Sequence, residues 1–185
     1  MSVIVRIPSL TFSEYTENIT ERPHKALYQL RDLPQPCDVA VLSVGGNDAL
    51  AHLDLLESSV SNASEVLETL SDITLRSSRN HGVLVDALRS VVRRVVLCTI
   101  YEPPMFDDVS ERLARVVLSL LNDHIVRTAT AAGMEVIELR LVCTDENDFV
   151  QDIEPSLLGA EKLADAIVAV VSAPGQQTSS TVFAT

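Results

Sequence analysis

The stretch VLSVGGNDAL, residues 41–50, decides how the fold is read, because an unbroken apolar run stops there at two glycines, an asparagine and an aspartate. The chain has only six glycines in 185 residues, so a pair of them at one point needs a reason. Glycine allows positive φ angles and close approach, and Asn and Asp favour turns. The stretch therefore predicts a buried strand that ends in a tight strand-to-helix turn. Turn chemistry alone would explain these residues, and so would a site in which the Asn47 amide points into a crevice and Asp48 caps the next helix.

Short runs rich in valine and isoleucine recur along the chain with the length of β-strands. They are SVIVRI near the start and residues 38–44, 94–100 and 135–141. Nearly continuous apolar strands are typical of a parallel sheet that is covered on both faces. Segments with helical spacing lie between the runs: residues 62–93, as one long helix or two helices broken near 77–82, and residues 109–130 and 155–171. The order predicts a three-layer α/β/α sandwich with a mainly parallel central sheet, whose sites form at the carboxyl ends of the strands.

Composition narrows the function classes. The formal charge of −12 disfavours a nucleic-acid partner. No apolar run reaches the roughly 18–20 residues of a membrane span, and the opening lacks a secretory pattern, so we expect a cytoplasmic protein. The cysteines Cys37, Cys98 and Cys143 are odd in number and show no CxxC spacing, which predicts buried structural thiols with no metal site and no cofactor. Residues 1–172 are expected to form one domain, and residues 173–185 a disordered tail.

The same stretch resembles the third conserved block of the SGNH, or GDSL-type, hydrolases, in which Gly-x-Asn-Asp follows a central strand. CTIYEPP at residues 98–104 and DIEPSLLGAEKLADAI at residues 152–167 are similar in order and spacing to a bacterial branch of that family. The likeness covers residues 38–171. It implies a flavodoxin-like sandwich and hydrolysis of esters or acyl groups. In the family a serine attacks the carbonyl, a histidine is the base, and the residue matching Asn47 helps to form the oxyanion hole.

Two parts of the family pattern differ in this chain. No Gly-Asp-Ser nucleophile block occurs, and the opening is too short for both of the family's first two strands, so we expect a domain that is incomplete at the N-terminus and lacks the first strand. Glu154 stands at the position of the family's histidine. A carboxylate accepts a proton from serine only where burial or a neighbouring acid raises its pKa, and Asp148 and Asp152 are near in sequence. Alternatively, Glu154 caps the last helix.

The sequence leaves two hypotheses about function. The first is an SGNH-type hydrolase that acts on a small-molecule ester or acyl substrate, with Asn47 and Glu154 as its catalytic candidates. The second is a non-catalytic binding or assembly module of the same fold, an inactive relative of the enzymes. A lost strand would expose an edge or an apolar face, so homodimer formation is a further expectation.

Overall fold

A computed structural model describes residues 3–6, 37–46, 49, 61–103, 108–150, 154–173 and 181–183. Its centre is a sheet in which all strand pairs of the described residues are parallel, in the order β1-β2-β3-β4-β7. These strands are β1 (Val3–Arg6), β2 (Val39–Leu42), β3 (Arg94–Cys98), β4 (Glu135–Ile137) and β7 (Val182–Phe183). The helices are α1 (Ala63–Val91), α2 (Asp108–Ala132), α3 (Leu139–Val142) and α4 (Leu157–Ser172). A 3-10 turn at Glu146–Asp148 leads into a small antiparallel pair, β5 (Phe149–Val150) and β6 (Glu154–Pro155).

The sheet has one apolar layer on each face, which confirms the predicted three-layer sandwich. Successive side chains of a strand point to opposite faces. Ala40 of β2 packs with α1 and α2, whereas its neighbours Val39 and Val41 pack with α4. In register, β2 pairs with β3 from Val39 opposite Arg94 to Leu42 opposite Leu97, so β3 ends one residue beyond β2. The loops that follow them therefore emerge at the same carboxyl edge.

Helix α1 begins where the sequence predicts a helix, and it continues past the break that one interpretation of the sequence placed near residues 77–82. The Asn62 side chain accepts a hydrogen bond from the backbone N–H of Glu65 at 3.2 Å, and the Glu65 carboxylate accepts one from Ser61 at 2.8 Å. These two bonds form an N-cap with a returning acid at the start of the helix that the sequence predicts over residues 62–93. The alternative of a break near residues 77–82 is wrong, because the helix is continuous over 29 residues.

The carboxyl-terminal third of the chain differs from expectation in two places. The strand predicted over 135–141 ends at Ile137, because Glu138 is the N-cap of α3 and accepts a hydrogen bond from the Arg140 backbone. The prediction of a disordered tail is wrong for Val182–Phe183, because these residues pair with Val136 and Ile137 of β4. These two residues complete an edge that β4 would otherwise leave open.

The described residues contain one strand before β2, where the family resemblance implies two, in line with the expectation of a missing strand. This strand is β1, since Val3–Arg6 pair with β2 in parallel, and β1 is then the outermost strand of the described sheet. Beyond β1, the described ranges supply no further strand. None of their helices is long and apolar enough to cross a membrane.

Candidate active site

The glycine turn predicted after the GGND strand is present at the end of β2. Gly45 has φ +108°, which residues with a side chain rarely adopt, and a Cβ atom there would lie 3.0 Å from Cδ1 of Ile100. The N–H of Ala49 donates to the Gly45 carbonyl at 3.1 Å, as in the first turn of a helix. Glycine is therefore required at Gly45 both for its φ angle and for the close contact. Asn47 and Asp48 lie outside the described residues, so the oxyanion role and the cap stay predictions.

A buried asparagine fixes the neighbouring loop, which follows β3. The N–H of Ile100 donates to Oδ1 of Asn122 at 2.7 Å, and Nδ2 of Asn122 donates back to the Ile100 carbonyl at 2.9 Å. Asn122 belongs to α2 and is fully buried. Its amide satisfies both backbone groups of Ile100 where the strand ladder has ended. The Gly45 turn consequently packs against a side chain whose backbone is held in place.

Tyr101 connects this loop to the β5–β6 pair. Its ring lies 5.5 Å from that of Phe149, centroid to centroid, at an interplanar angle of 52°. Burial and then the charge of Glu154 raise the pKa of Tyr101 to about 12. Ile100 contacts the glycine turn, and the next residue, Tyr101, packs on Phe149 of β5. The Gly45 turn and the β5–β6 pair thus both contact the loop after β3.

Glu154 itself is exposed and lies opposite Val150 in the β5–β6 pair. The alternative in which it caps the last helix is wrong, because Ser156 is the N-cap of α4 and accepts a hydrogen bond from Gly159 at 3.2 Å. No described residue forms a hydrogen bond or ion pair with the Glu154 carboxylate. The structure therefore does not provide the burial that the catalytic interpretation of Glu154 requires.

Asp148, an acidic residue near Glu154 in the sequence, has a structural role. Its side chain is fully buried, pairs with Lys162 of α4 at 2.7 Å, and accepts hydrogen bonds from the N–H groups of Thr144 and Asp145. Burial opposes its ionisation, but the Lys162 and backbone hydrogen bonds outweigh burial and lower the pKa of Asp148. Asp148 is therefore a fixed anion that attaches α4 to the loop before β5.

Sequence reasoning missed an ionic network between the ends of β3 and β4. Thr99 Oγ1 donates to Glu138 at 2.7 Å and accepts from the Leu139 N–H at 2.8 Å, and the Arg140 guanidinium donates to both Glu138 oxygens at 2.6 Å. Burial opposes ionisation of Glu138, yet the hydrogen bonds from Arg140 and Thr99 lower its pKa. Glu102 lies 4.0 Å from Arg140. The sequence signal for this network is Glu138, an acidic residue that directly follows the buried strand β4.

The cysteines and the serine near the carboxyl edge of the sheet are weak candidates for a nucleophile. The three cysteines are free and buried, as predicted, and burial raises the pKa of the Cys98 thiol to about 12 and that of Cys143 to about 11. Ser43, directly after β2, is half-buried and accepts or donates no hydrogen bond within the described ranges. In those ranges no serine or cysteine side chain bonds to a histidine or glutamate side chain. Nor do they contain a group of three or more histidine, cysteine, aspartate or glutamate side chains suited to a metal ion.

Comparison with known proteins gives a fold-level likeness. The chain matches no protein-family model. No curated protein sequence is significantly similar to it. It is similar in structure to LAE5, an alpha/beta hydrolase enzyme from the metagenome of Lake Arreo, Spain, with a TM-score of 0.52 and 20% sequence identity over 75% of this chain. The match covers 62% of that enzyme, so the chain spans less than two thirds of its length. At this identity the likeness concerns the fold alone.

Proposed function

We propose that the chain is an SGNH-type hydrolase of ester bonds, with its site at the carboxyl edge of the sheet. In this proposal the Asn47 amide stabilises the oxyanion and the Glu154 carboxylate accepts the proton of an attacking serine. The observation that carries the proposal is the position of Ile100 and Tyr101. Ile100 contacts the Gly45 turn, and Tyr101 packs on Phe149, which lies opposite Pro155, the residue that follows Glu154.

The geometry around the end of β3 suits the electrostatic part of ester hydrolysis. A tetrahedral intermediate develops negative charge on one oxygen, and a prepositioned neutral donor stabilises that charge without a proton transfer. The two hydrogen bonds of Asn122 fix the backbone of Ile100, and Ile100 packs against the left-handed Gly45, two positions before Asn47 in the chain. Nearby, the buried Thr99 and Glu138 hold the partly exposed guanidinium of Arg140 in place, which favours a polar substrate over a purely apolar one.

A specific observation favours the second candidate, a non-catalytic binding module. Glu154 is exposed, and no hydrogen-bonded pair of nucleophile and base occurs among the described residues. An unactivated serine is a poor nucleophile. In this reading the same edge of the sheet binds a small molecule without turning it over. Homodimer formation through the outer edge of β1 belongs to the same proposal, and sedimentation of the full chain tests it.

The two candidates are separated by turnover of p-nitrophenyl acetate by the full chain and by three variants. Asn47→Ala removes the oxyanion donor and should lower kcat by about 10²–10³-fold. Glu154→Gln removes the proton acceptor and should lower kcat by about 10²–10⁴-fold. Glu161→Gln is the matched control, since Glu161 is an exposed glutamate of α4 that makes no ion pair with a described residue, and its rate should equal that of the parent chain.

Each outcome of this experiment decides between the candidates. A parent rate no higher than buffer would support the binding module and refute the hydrolase. A parent rate that Asn47→Ala and Glu154→Gln leave unchanged would refute this site while retaining an esterase. Equal losses in Glu154→Gln and Glu161→Gln would show an effect of net charge and would remove Glu154 from the proposal.

A further inference from the structure

Two histidines meet inside the layer formed by α1 and α2. His81 of α1 and His124 of α2 have ring centroids 5.3 Å apart, and their planes are nearly perpendicular at 79°. Their exposed fractions are only 5% and 7%. An edge-to-face pair of this kind packs like two aromatic rings, and it joins the two helices in the middle of the layer.

The polar atoms of this pair are unusual for a protein interior. Nδ1 of His81 and both ring nitrogens of His124 are buried and have no hydrogen-bond partner among the described residues. Buried polar groups are normally paired, so an unpaired set requires an explanation. Both rings line a cavity of about 10 Å³, which is close to the roughly 10–15 Å³ that one water molecule needs.

The cavity lies directly beneath the glycine turn of the proposed site. Its other lining residues include Val44 and Gly45 from the turn, Ile100 from the loop after β3, and Ser77 from α1. The same Ile100 side chain contacts Gly45. The two rings and the turn that precedes Asn47 therefore border the same cavity.

Among the described residues that line the cavity, none carries a charge that would compensate a proton on the pair. Burial, and then the proximity of His124, lower the pKa of His81 to about 4. Burial also lowers the pKa of His124, although the charge of Asp123 acts in the opposite direction. The remaining lining residues from the turn, the β3 loop and the two helices carry no charge. A protonated ring would be an uncompensated charge in an apolar space, which is costly.

We propose that His81 and His124 form a proton-operated switch that supports the glycine turn when both rings are neutral and releases it in mild acid. Uptake of a proton separates α1 from α2 at this level, so Gly45 and Ile100 lose their support while the α4 face of the sheet stays folded. The effect on activity rests on the proposed function. The effect on the turn does not.

The direction of the pH dependence follows from the sign of the shifts. The fold favours the neutral imidazole, so the support is fully present above the ordinary histidine pKa of about 6.5. It is lost as pH falls from there towards the lowered pKa of His81, about 4. The turn should therefore loosen between pH 6.5 and 4.5.

The test is hydrogen exchange of the full chain, followed amide by amide and expressed as protection factors to remove the intrinsic effect of pH. The reporters are the Ala49 and Ile100 amides, which donate to Gly45 and Asn122, and the reference is Val170 in α4. Between pH 6.5 and 4.5 the reporters should lose protection by roughly 10–100-fold, as expected for one linked proton, while Val170 changes little.

A double variant, His81→Leu with His124→Leu, removes both proton sites and should abolish this loss of protection. The control variant is His24→Gln, which changes another histidine and should retain it. If the double variant does not fold, NMR titration of the ring protons in the parent chain decides instead, with both rings expected to titrate below about 6.5.

Three results would overturn the switch. They are ring titration at or above the ordinary histidine value, equal loss of protection in the double variant, and protection that rises with added Zn²⁺ and requires both histidines, which would reveal a metal site. The ester assay separates the two proposals. An acid-sensitive turn in a chain without turnover would refute the hydrolase and leave the switch intact.

Discussion

The same substitution, glycine to alanine, should lower the free energy of unfolding at Gly159 and raise it at Gly82. Gly159 lies in the first turn of α4, where a Cβ atom would overlap the carbonyl oxygen of Asp148 and lie 3.0 Å from its carbonyl carbon. Gly82 lies inside α1, and a Cβ atom there meets nothing within 4 Å. A comparison of the two variants therefore distinguishes the effect of the close packing of α4 from the intrinsic preference of a helix for alanine.

The expected magnitudes follow from what must move. In Gly159→Ala, α4 has to shift away from the loop before β5, which strains the 2.8 Å hydrogen bond from Ser156 N–H to the Asp148 carbonyl and the Lys162–Asp148 ion pair. Overpacking costs about 1–3 kcal/mol, and weakening the partner of a buried carboxylate adds to it. Alanine returns at most about 1 kcal/mol of helix propensity. We expect a net loss of about 2–4 kcal/mol for Gly159→Ala and a gain of about 0.5–1 kcal/mol for Gly82→Ala.

Urea unfolding monitored by circular dichroism measures both effects. With a slope of about 2 kcal/mol per molar urea, the midpoint of Gly159→Ala should fall by about 1–2 M, and that of Gly82→Ala should rise by about 0.3–0.5 M. The thermal midpoint should change in the same directions by about 2–4 °C per kcal/mol. A Gly159→Ala midpoint equal to that of the parent chain would refute the close approach of α4 to Asp148 and the placement of Glu154 that depends on it.

Two further predictions concern the opposite edge of the sheet and the glycine turn. Arg94→Met leaves the buried Glu135 carboxylate without the guanidinium that donates to it at 2.6 and 2.8 Å, so unfolding in urea should show a loss of about 3–5 kcal/mol. The double variant Arg94→Met with Glu135→Leu should recover part of this loss. A loss in the double variant equal to the sum of the two single losses would contradict the ion pair. Gly45→Ala should lower the free energy of unfolding by about 1–3 kcal/mol because of its φ of +108° and its contact with Ile100. Gly46→Ala, whose Cβ would be 3.9 Å from Ile100, should change it little, and equal losses at both glycines would exclude backbone strain as the cause.

The sequence predicts the parts of the fold that depend on local pattern. Apolar runs of strand length locate β2 and β3, and the Asn62–Glu65 pair marks the start of α1. The glycine pair predicts the strand-to-helix turn, because a positive φ angle restricts residue choice at a single position. In each case the responsible interaction joins residues that are neighbours in the chain.

The parts that could not be predicted depend on contacts between distant residues. The Asn122 amide meets Ile100 across 22 residues, and Thr99 meets Glu138 across 39, so neither pair leaves a local pattern. β7 has only two residues, and its strand conformation depends on the open edge of β4. The burial of His124 likewise follows from the packing of α2 on α1, where its ring meets that of His81.

The central claim is that the carboxyl edge around Ile100 and Tyr101 activates a serine towards esters. A fluorophosphonate probe tests it most directly, because the probe phosphonylates only an activated nucleophile, and peptide mapping then identifies the residue. The account predicts one labelled serine in the folded chain, with labelling lost after unfolding in urea and strongly reduced in Asn47→Ala. The absence of any adduct, or equal labelling before and after unfolding, would contradict it.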